Sequence, residues 1–398
     1  MIAVKTLLIA SALFLINFSL AAQTTVNEDY KFTTIKELAH TPVRDQYHTS
    51  TCWSFSGLSF FESEMLRLGK PEIELSEMFV VNYCYRNKAQ KYVRMKGATN
   101  FGPGGIFYDI IDVIKNYGLV PEQIYPGIKY KEKKHDHREM DAVLKKMTEA
   151  LVDNKNGKLT PVWPDAVKKT IDSYLGEIPE SFEYNGKVYT PKSFVSDYCG
   201  INPDNYVQIT SFTHHPYYES FILEVPDNWI WSSFYNVPLD IMQQIIDTSL
   251  DKGFTVAWSA DVTEKGFATT KKGIAIVPDS MSVDSTNSLS AKKDSLSDDK
   301  ESELFNPNKP CKELAISQEI RQIAFDDQET TDDHGMQIIG LASDQNGKVY
   351  YKVKNSWGSY NNYDGYFYAS KPYVRYKTTS IMVNKNAIPE DIRKKLGI

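Results

Sequence analysis

The chain has 398 residues, 41% hydrophobic and 24% charged, which suits one large folded domain or two ordinary ones and is unlike a disordered or fibrous protein. Its formal net charge is −6, with Lys and Arg spread along its length, so it lacks the clustered basic footprint of a nucleic-acid-binding protein. Four cysteines are too few to staple a fold of this size, and stability has to come from a hydrophobic core.

Residues 1–22 combine one positive charge at Lys5, an apolar run broken by Asn17, and small residues at Ser19, Ala21 and Ala22. This is the pattern of a signal peptide cleaved near Ala21 or Ala22, and it predicts an exported protein, periplasmic or secreted. The apolar run is short for a membrane span, and no later stretch is apolar enough to cross a bilayer, so no membrane association is expected after cleavage. The mature chain, 23–398, reads as one domain. Within it the pattern suggests a helical lobe over about 40–128, a long insertion over about 129–235, a second insertion over about 279–306, a strand-rich lobe over about 307–385 and a short tail, 386–398.

In the first lobe, Cys52 lies in a polar turn beside Ser50 and Thr51, either of which can cap a helix. Phe55, Leu58, Phe61, Met65 and Leu68 follow at spacings of three and four, and Gly69 supplies a stop. Cys52 therefore starts a buried helix, where the macrodipole and unpaired N–H groups favour the thiolate. Further helices are predicted over 75–83 and 106–117, the latter closed by Gly118. Between them "GPGG", 102–105, is a loop that lets backbone approach a ligand.

The middle of the chain is less regular. Residues 129–150 are highly charged and suit a solvated helix, 188–221 mix Tyr, Thr and Asn, and "TVAWSAD", 255–261, reads as a buried strand. Residues 279–306 are rich in Ser, Asp and Lys and predict a mobile surface insertion. Beyond it, His334 opens a strand, Asn346 and Gly347 make a hairpin turn, and the returning strand runs into Asn355. With a bulge in the pairing, His334 and Asn355 become neighbours although 21 residues apart. Pro389 and Glu390 then start a short helix on which Ile392 and Leu396 are four apart.

These pieces suit one chemistry. A thiol attacks a carbonyl when a neighbouring imidazole takes its proton and a third polar group fixes the imidazole's orientation. Cys52, His334 and Asn355 fill those roles, and Gln46, six residues before Cys52, can present its side-chain amide beside the Cys52 N–H as an oxyanion hole. Asp333 can tune the imidazolium or be a solvated loop carboxylate. No metal or cofactor is called for. "HDH" at 135–137 lies in a charged helical run without a third ligand, "THH" ending at His215 fares no better, and no phosphate or dinucleotide loop is present.

"PVRDQYHTSTCWSFS", "DDHGM" and "KVKNSWG" resemble, in wording and order, the cysteine, histidine and asparagine segments of papain-like cysteine peptidases. "GPGGIFYDIIDVIKNYGLVPEQIYP" resembles the glycine loop and helix of the same superfamily, while "YTPKSFVSDYCG" and "TVAWSADV" are similar to its bleomycin hydrolase and aminopeptidase C branch. The resemblance implies an α+β, two-lobed fold, helical on the Cys52 side and barrel-like on the His334 side, with a cleft between. It implies the roles of Cys52, His334, Asn355 and Gln46 given above, makes Trp357 a lid over the His334–Asn355 contact, and places Gly104 and Gly105 along the bound peptide.

Two departures stand out. A disulfide cysteine common in exported relatives is replaced by Thr49, and the tail ends at "IPEDIRKKLGI", where branch members extend an arm into the cleft. The expected activity is hydrolysis of peptide bonds through a thioester, with aminopeptidase action favoured over an endopeptidase with an open cleft, an acyl transferase of the same Cys-His design or a peptide-binding pseudoenzyme. The expected partners are peptide or protein substrates, with self-assembly a possible further restriction on access.

Overall fold

A computed structural model of the protein describes residues 29–130, 133–264, 266–279 and 309–398. The expected signal peptide, 1–22, and the insertion expected over about 279–306 lie outside the described residues, apart from Asp279.

Helix α1 (Cys52–Arg67) is buried from Trp53 to Met65 on every face. A helix wrapped in this way needs partners all round. On one side it meets α2 (Glu77–Arg94) and α3 (Phe107–Asn116), which share with it a core containing Phe60, Phe61, Met78, Phe79 and Ile110. Helices α4 (Arg138–Val152) and α5 (Trp163–Leu175) complete this lobe through Met140, Leu144, Val167 and Ile171.

On its other side α1 meets an eleven-stranded sheet. The centre of that sheet is β10 (His334–Ser343), flanked by β7 (Val256–Ala260) and β11 (Val349–Lys354), both antiparallel to it. Beyond β7 lies β13 (Thr378–Asn384), then β4 (Tyr206–Thr210), β6 (Ser233–Asn236) and β5 (Ser220–Ile222). Beyond β11 lie β12 (Tyr366–Ser370), β9 (Ile274–Ala275) and β8 (Phe267–Ala268), while β1 (Thr33–Glu37) pairs with the far end of β10. The insertion expected over about 129–235 thus supplies three strands, β4, β5 and β6, to the sheet. It also holds a small hairpin of β2 (Phe182–Tyr184) and β3 (Lys187–Tyr189) and a short turn of helix, α6 (Pro191–Ser193). The opposite face of the sheet is covered by α7 (Leu239–Asp251) around Trp258, Met336, Ile381 and Tyr373. The shorter helices α8 (Thr269–Lys272), α9 (Gln318–Asp326), α10 (Lys371–Lys377) and α11 (Glu390–Leu396) lie between and after the strands, and α11 buries Ile392 and Leu396 in that core.

A buried polar seam joins α1 to the sheet. The Gln337 side chain on β10 accepts from Ser59 Oγ at 2.6 Å and donates to Ser63 Oγ at 2.9 Å and Thr255 Oγ1 at 3.1 Å. Lys354, the last residue of β11, donates to Ser59 Oγ at 2.6 Å and Thr41 Oγ1 at 3.0 Å. Gln337 and Lys354 are directly paired across the strands. Just below, Gly335 lets backbone touch backbone, since a Cβ there would lie 2.8 Å from Ser56 Oγ and 3.2 Å from the Trp53 Cα.

Four local expectations are revised. The second helix does not end near Tyr83 but runs on to Arg94, because no glycine or proline interrupts it and Ser76 caps it by accepting from the Phe79 N–H. The charged stretch becomes helical only at Arg138, because residues 135 and 137 bond through their backbones to His48. That helix is not solvated all round, as Met140, Leu144 and Thr148 are buried. Neither Ser50 nor Thr51 caps α1: the Thr51 hydroxyl donates instead to Thr49 Oγ1 at 2.7 Å. The hairpin turn spans 344–348 rather than two residues, with Gly347 at φ 81° and Asp344 Oδ1 accepting from the Asn346 and Lys348 N–H groups.

Gln337→Leu keeps the size of this side chain but leaves Ser59, Ser63 and Thr255 short of a partner in a buried seam. Urea unfolding is expected to show a loss of about 2–4 kcal/mol. An unchanged midpoint would mean that the seam does not hold α1 to the sheet.

Candidate active site

Cys52 is the first residue of α1, so its own N–H has no carbonyl within the helix to meet. Part of its surface stays open, while its thiol lies against β10 and accepts from the backbone N–H groups of Gly335 and Trp53. The residue preceding Gly335 is His334, 5% exposed, the first residue of β10. Its Nε2 lies 2.7 Å from Asn355 Oδ1, just past the end of β11, which leaves Nδ1 as the ring nitrogen free for the thiol's proton. Asn355 is held in turn, with Nδ2 donating to Tyr360 Oη at 3.1 Å and Oδ1 accepting from the Ser356 N–H at 2.8 Å. Trp357 lies against the imidazole, its ring 4.6 Å from that of His334 at an interplanar angle of 32°.

Burial opposes each charge of this pair taken alone. It pushes the Cys52 thiol up to about 12, helped by the carboxylates of Asp227 and Asp332, while the Gly335 and Trp53 N–H groups pull the other way. It takes the His334 imidazole down to about 4, partly offset by Asn355. The pull of the helix N-terminus toward the thiolate is thus set against a large cost of burial at Cys52. A thiolate is tolerable here only with an imidazolium beside it, when one proton has crossed between them and the net charge is unchanged.

Gln46 is brought in by the segment before α1, which pairs with the backbone after Asn355: the Gln46 N–H donates to the Ser356 carbonyl at 2.8 Å, and Asp45 bridges to Trp357. Ser356 Oγ donates to Gln46 Oε1 at 2.6 Å. With Oε1 engaged, the amide of this 6% exposed side chain is fixed with its NH2 as the remaining donor. Ser356 was not singled out in the sequence, although its place directly after Asn355 was the available signal.

The loop of Gly104 and Gly105 lies over Trp53, whose Nε1 donates to the Pro103 carbonyl at 3.0 Å. Lys88, 3% exposed, donates from below to the carbonyls of Gly102 and Gly104. No side chain fits at either glycine: a Cβ at Gly104 would meet the Asp227 carboxylate at 2.0 Å, and one at Gly105 would meet Asp109 Oδ2 at 2.5 Å and the Trp53 ring at 2.8 Å. Asp227 had no motif to announce it. Asp332, two residues before His334, was visible in "DDHGM" but unremarked. Asp333 turns away to Thr331 and Asp261 and is not among the groups acting on the imidazole.

The remaining histidines stand apart. His135 and His137 are buried, which pushes them down to about 4 and about 3. His214, His215 and Glu224 bring potential ligand atoms within 4.8 Å of one another on the surface. Gln322, held by the Thr213 N–H and Asp326, donates to His214 Nδ1, which puts the His214 proton on Nε2 where a metal would need a lone pair. Cys84, Cys199 and Cys311 are free thiols like Cys52.

This architecture has known relatives. A crystal structure of PepW from Lactobacillus rhamnosis superposes with a TM-score of 0.67 at 20% identity, over 92% of this chain and 84% of that one. Aminopeptidase C of Lactococcus lactis subsp. cremoris is 23% identical over 394 residues, spanning 89% of this chain and 83% of that protein. Aminopeptidase G of Lactobacillus delbrueckii subsp. lactis is 23% identical over 407 residues, spanning 91% and 85%. The model of the Peptidase C1-like family matches residues 73–298 and 312–397, and with a cysteine, a histidine and an asparagine converging on one cleft between helices and sheet, the chain belongs to that family of cysteine peptidases.

Proposed function

We propose that the protein is an exported aminopeptidase that works through a thioester on Cys52. The observation that carries the reading is the His334 Nε2 to Asn355 Oδ1 contact of 2.7 Å, set on the strand that the Cys52 thiol touches. In the first step the Cys52 proton passes to His334 Nδ1 and Sγ bonds to the substrate carbonyl carbon, whose oxygen takes the negative charge. The Cys52 N–H and the Gln46 amide face that oxyanion, a contribution of roughly 3–4 kcal/mol for each donor of this kind. The imidazolium then gives its proton to the leaving amine as the C–N bond breaks. In the second step His334 takes a proton from water, the hydroxide bonds to the thioester carbonyl carbon, the C–S bond breaks to release the acid, and Sγ takes the proton back from His334. Gly104 and Gly105 lie along the peptide, and Trp357 keeps water off the His334–Asn355 bond.

Aminopeptidase action is favoured because the relatives named above are called aminopeptidases. Export rests on residues 1–22 alone. Among the described residues no helix is long and apolar enough to cross a membrane.

His334→Ala leaves the thiol with no imidazolium to form beside it. The wild type is expected to be alkylated by iodoacetamide at about pH 6, whereas the variant reacts only well above about pH 8. Asn355→Ala is expected to lower turnover by roughly a hundredfold while leaving circular dichroism unchanged. Equal pH profiles for wild type and His334→Ala would remove His334 from its role.

The aminopeptidase reading is tested by hydrolysis of leucyl-aminomethylcoumarin against its N-acetylated twin. The free amine is expected to be strongly preferred, and equal rates would establish an open endopeptidase cleft instead. Intact mass of the protein recovered from its producing cell should correspond to a chain that begins at Ala22 or Gln23. A chain retaining residues 1–22 would count against export by cleavage.

A further inference from the structure

The five residues between Gln46 and Cys52 join the two donors assigned to the oxyanion, so their shape sets how those donors face one another. That shape is not a relaxed one. Tyr47 and Ser50 have φ of 47° and 52°, left-handed backbone that a residue with a side chain adopts only at a cost. Backbone of this kind persists where the surroundings hold it.

The hold comes from residues 134–137, just ahead of α4. The His48 N–H donates to the His135 carbonyl at 3.3 Å and the His137 N–H to the His48 carbonyl at 3.0 Å, a short parallel bridge with Asp136 opposite His48. At its start Lys134 Nζ meets Asp45 Oδ2 at 2.8 Å and lies 4.8 Å over the Tyr47 ring. Two buried rings fasten this clasp to the helical lobe. The His135 ring lies 5.9 Å from that of His137 and 6.4 Å from that of Phe55 on α1, both edge-on, and His137 leads into α4 with its core residues Met140 and Leu144. Both ring nitrogens of His137 and Nδ1 of His135 are shut off from solvent without a partner. The rings serve here as apolar anchors, and burial favours their neutral form.

We propose that His135 and His137 are positioning residues for the oxyanion hole: uncharged, they seat the 134–137 clasp against α1 and α4, the clasp holds His48, and Gln46 and Cys52 stay aimed at one point. The proposal rests on the oxyanion role given to Gln46 and the Cys52 N–H, and adds what keeps that pair in place. Acid then acts on turnover from outside the cleft. Burial pushes His135 down to about 4 and His137 down to about 3, whereas an imidazole released to water takes its proton near about pH 6.5. As pH falls below that value, protonation favours the opened clasp, by roughly fiftyfold to a hundredfold for each ring at about pH 4.5. The charged groups around the rings do not remove this cost. Asp136 favours a charged His137 but turns to Arg138, Asp141 on α4 is taken by Tyr85 of α2, and Lys134 and Lys88 are themselves cations. His48 adds a further imidazole rather than an acid.

The test compares the full chain with His135→Phe, His137→Phe and the double variant, which keep a buried ring and lose its titration. Turnover of leucyl-aminomethylcoumarin at neutral pH is expected to stay within roughly twofold of wild type. At about pH 4.5 the double variant is expected to keep at least roughly tenfold more of its neutral turnover than wild type does. Iodoacetamide labelling of Cys52, which forms no oxyanion, is expected to follow one pH profile in all four proteins. A merely structural role would lower neutral turnover and leave the profile's shape alone, and coincident acid limbs of turnover overturn the proposal. Gln46→Ala separates the two readings: a loss of turnover there, with coincident acid limbs, leaves the oxyanion role standing and removes the clasp, and unchanged turnover removes both. Where a variant does not fold, hydrogen exchange of the wild type decides. The amides of 45–51 and 134–137 are expected to lose protection together on acidification to about pH 4.5, ahead of β10, and protection retained in both overturns the proposal.

Discussion

The site depends on how α1 is held against β10. Cys52 begins one and His334 begins the other, 282 positions apart in sequence, and neither could find its partner unless helix and strand met at one offset. Apolar packing alone would let a helix slide along a sheet at little cost. The Gln337 amide and the Lys354 ammonium remove that freedom, because hydroxyls from two turns of α1 must meet them in a buried seam. Gly335 brings the backbones close enough for its N–H to reach the Cys52 thiol. Asn355 follows from the pairing of β10 with β11, so one register sets nucleophile, base and orienting amide together.

The electrostatics of the cleft are arranged for a pair rather than for single ions. A lone thiolate is opposed by burial and by two aspartates, and a lone imidazolium is opposed by burial. Proton exchange between Sγ and Nδ1 is then the ionisation least disturbed by these surroundings. The Gln46 side is built differently, from neutral dipoles fixed by Ser356, and so adds no charge beside the thiol.

Much of this was legible in the amino-acid order, because it is written in local terms. The helix spaced in threes and fours after Cys52, the two strands joined by a turn around Asn346 and Gly347, and the buried strand around Trp258 all appear in the structure. Gln46, Cys52, His334 and Asn355 sit in short stretches whose chemistry can be read without knowing what lies opposite. What could not be read depended on distant partners. The Thr51 hydroxyl is taken by Thr49 and does not cap α1, and the residues around His135 lost a helix to the backbone of His48. Asp227 is one aspartate among many until the fold sets it on Gly104. Lys88 looks like a surface lysine in a charged helix, yet it is buried beneath the glycine loop.

Asn355 and Ser356 are consecutive, and they hold separate groups: the Asn355 amide oxygen meets the His334 ring, and the Ser356 hydroxyl fixes the Gln46 amide. Adjacent residues share a peptide plane, so a rotation that corrects the aim of one disturbs the other. Substitutions around this dipeptide therefore belong to one epistatic unit, and their effects on turnover do not add. In an evolving lineage a change at either position would then have to be matched at the other before the site could work again.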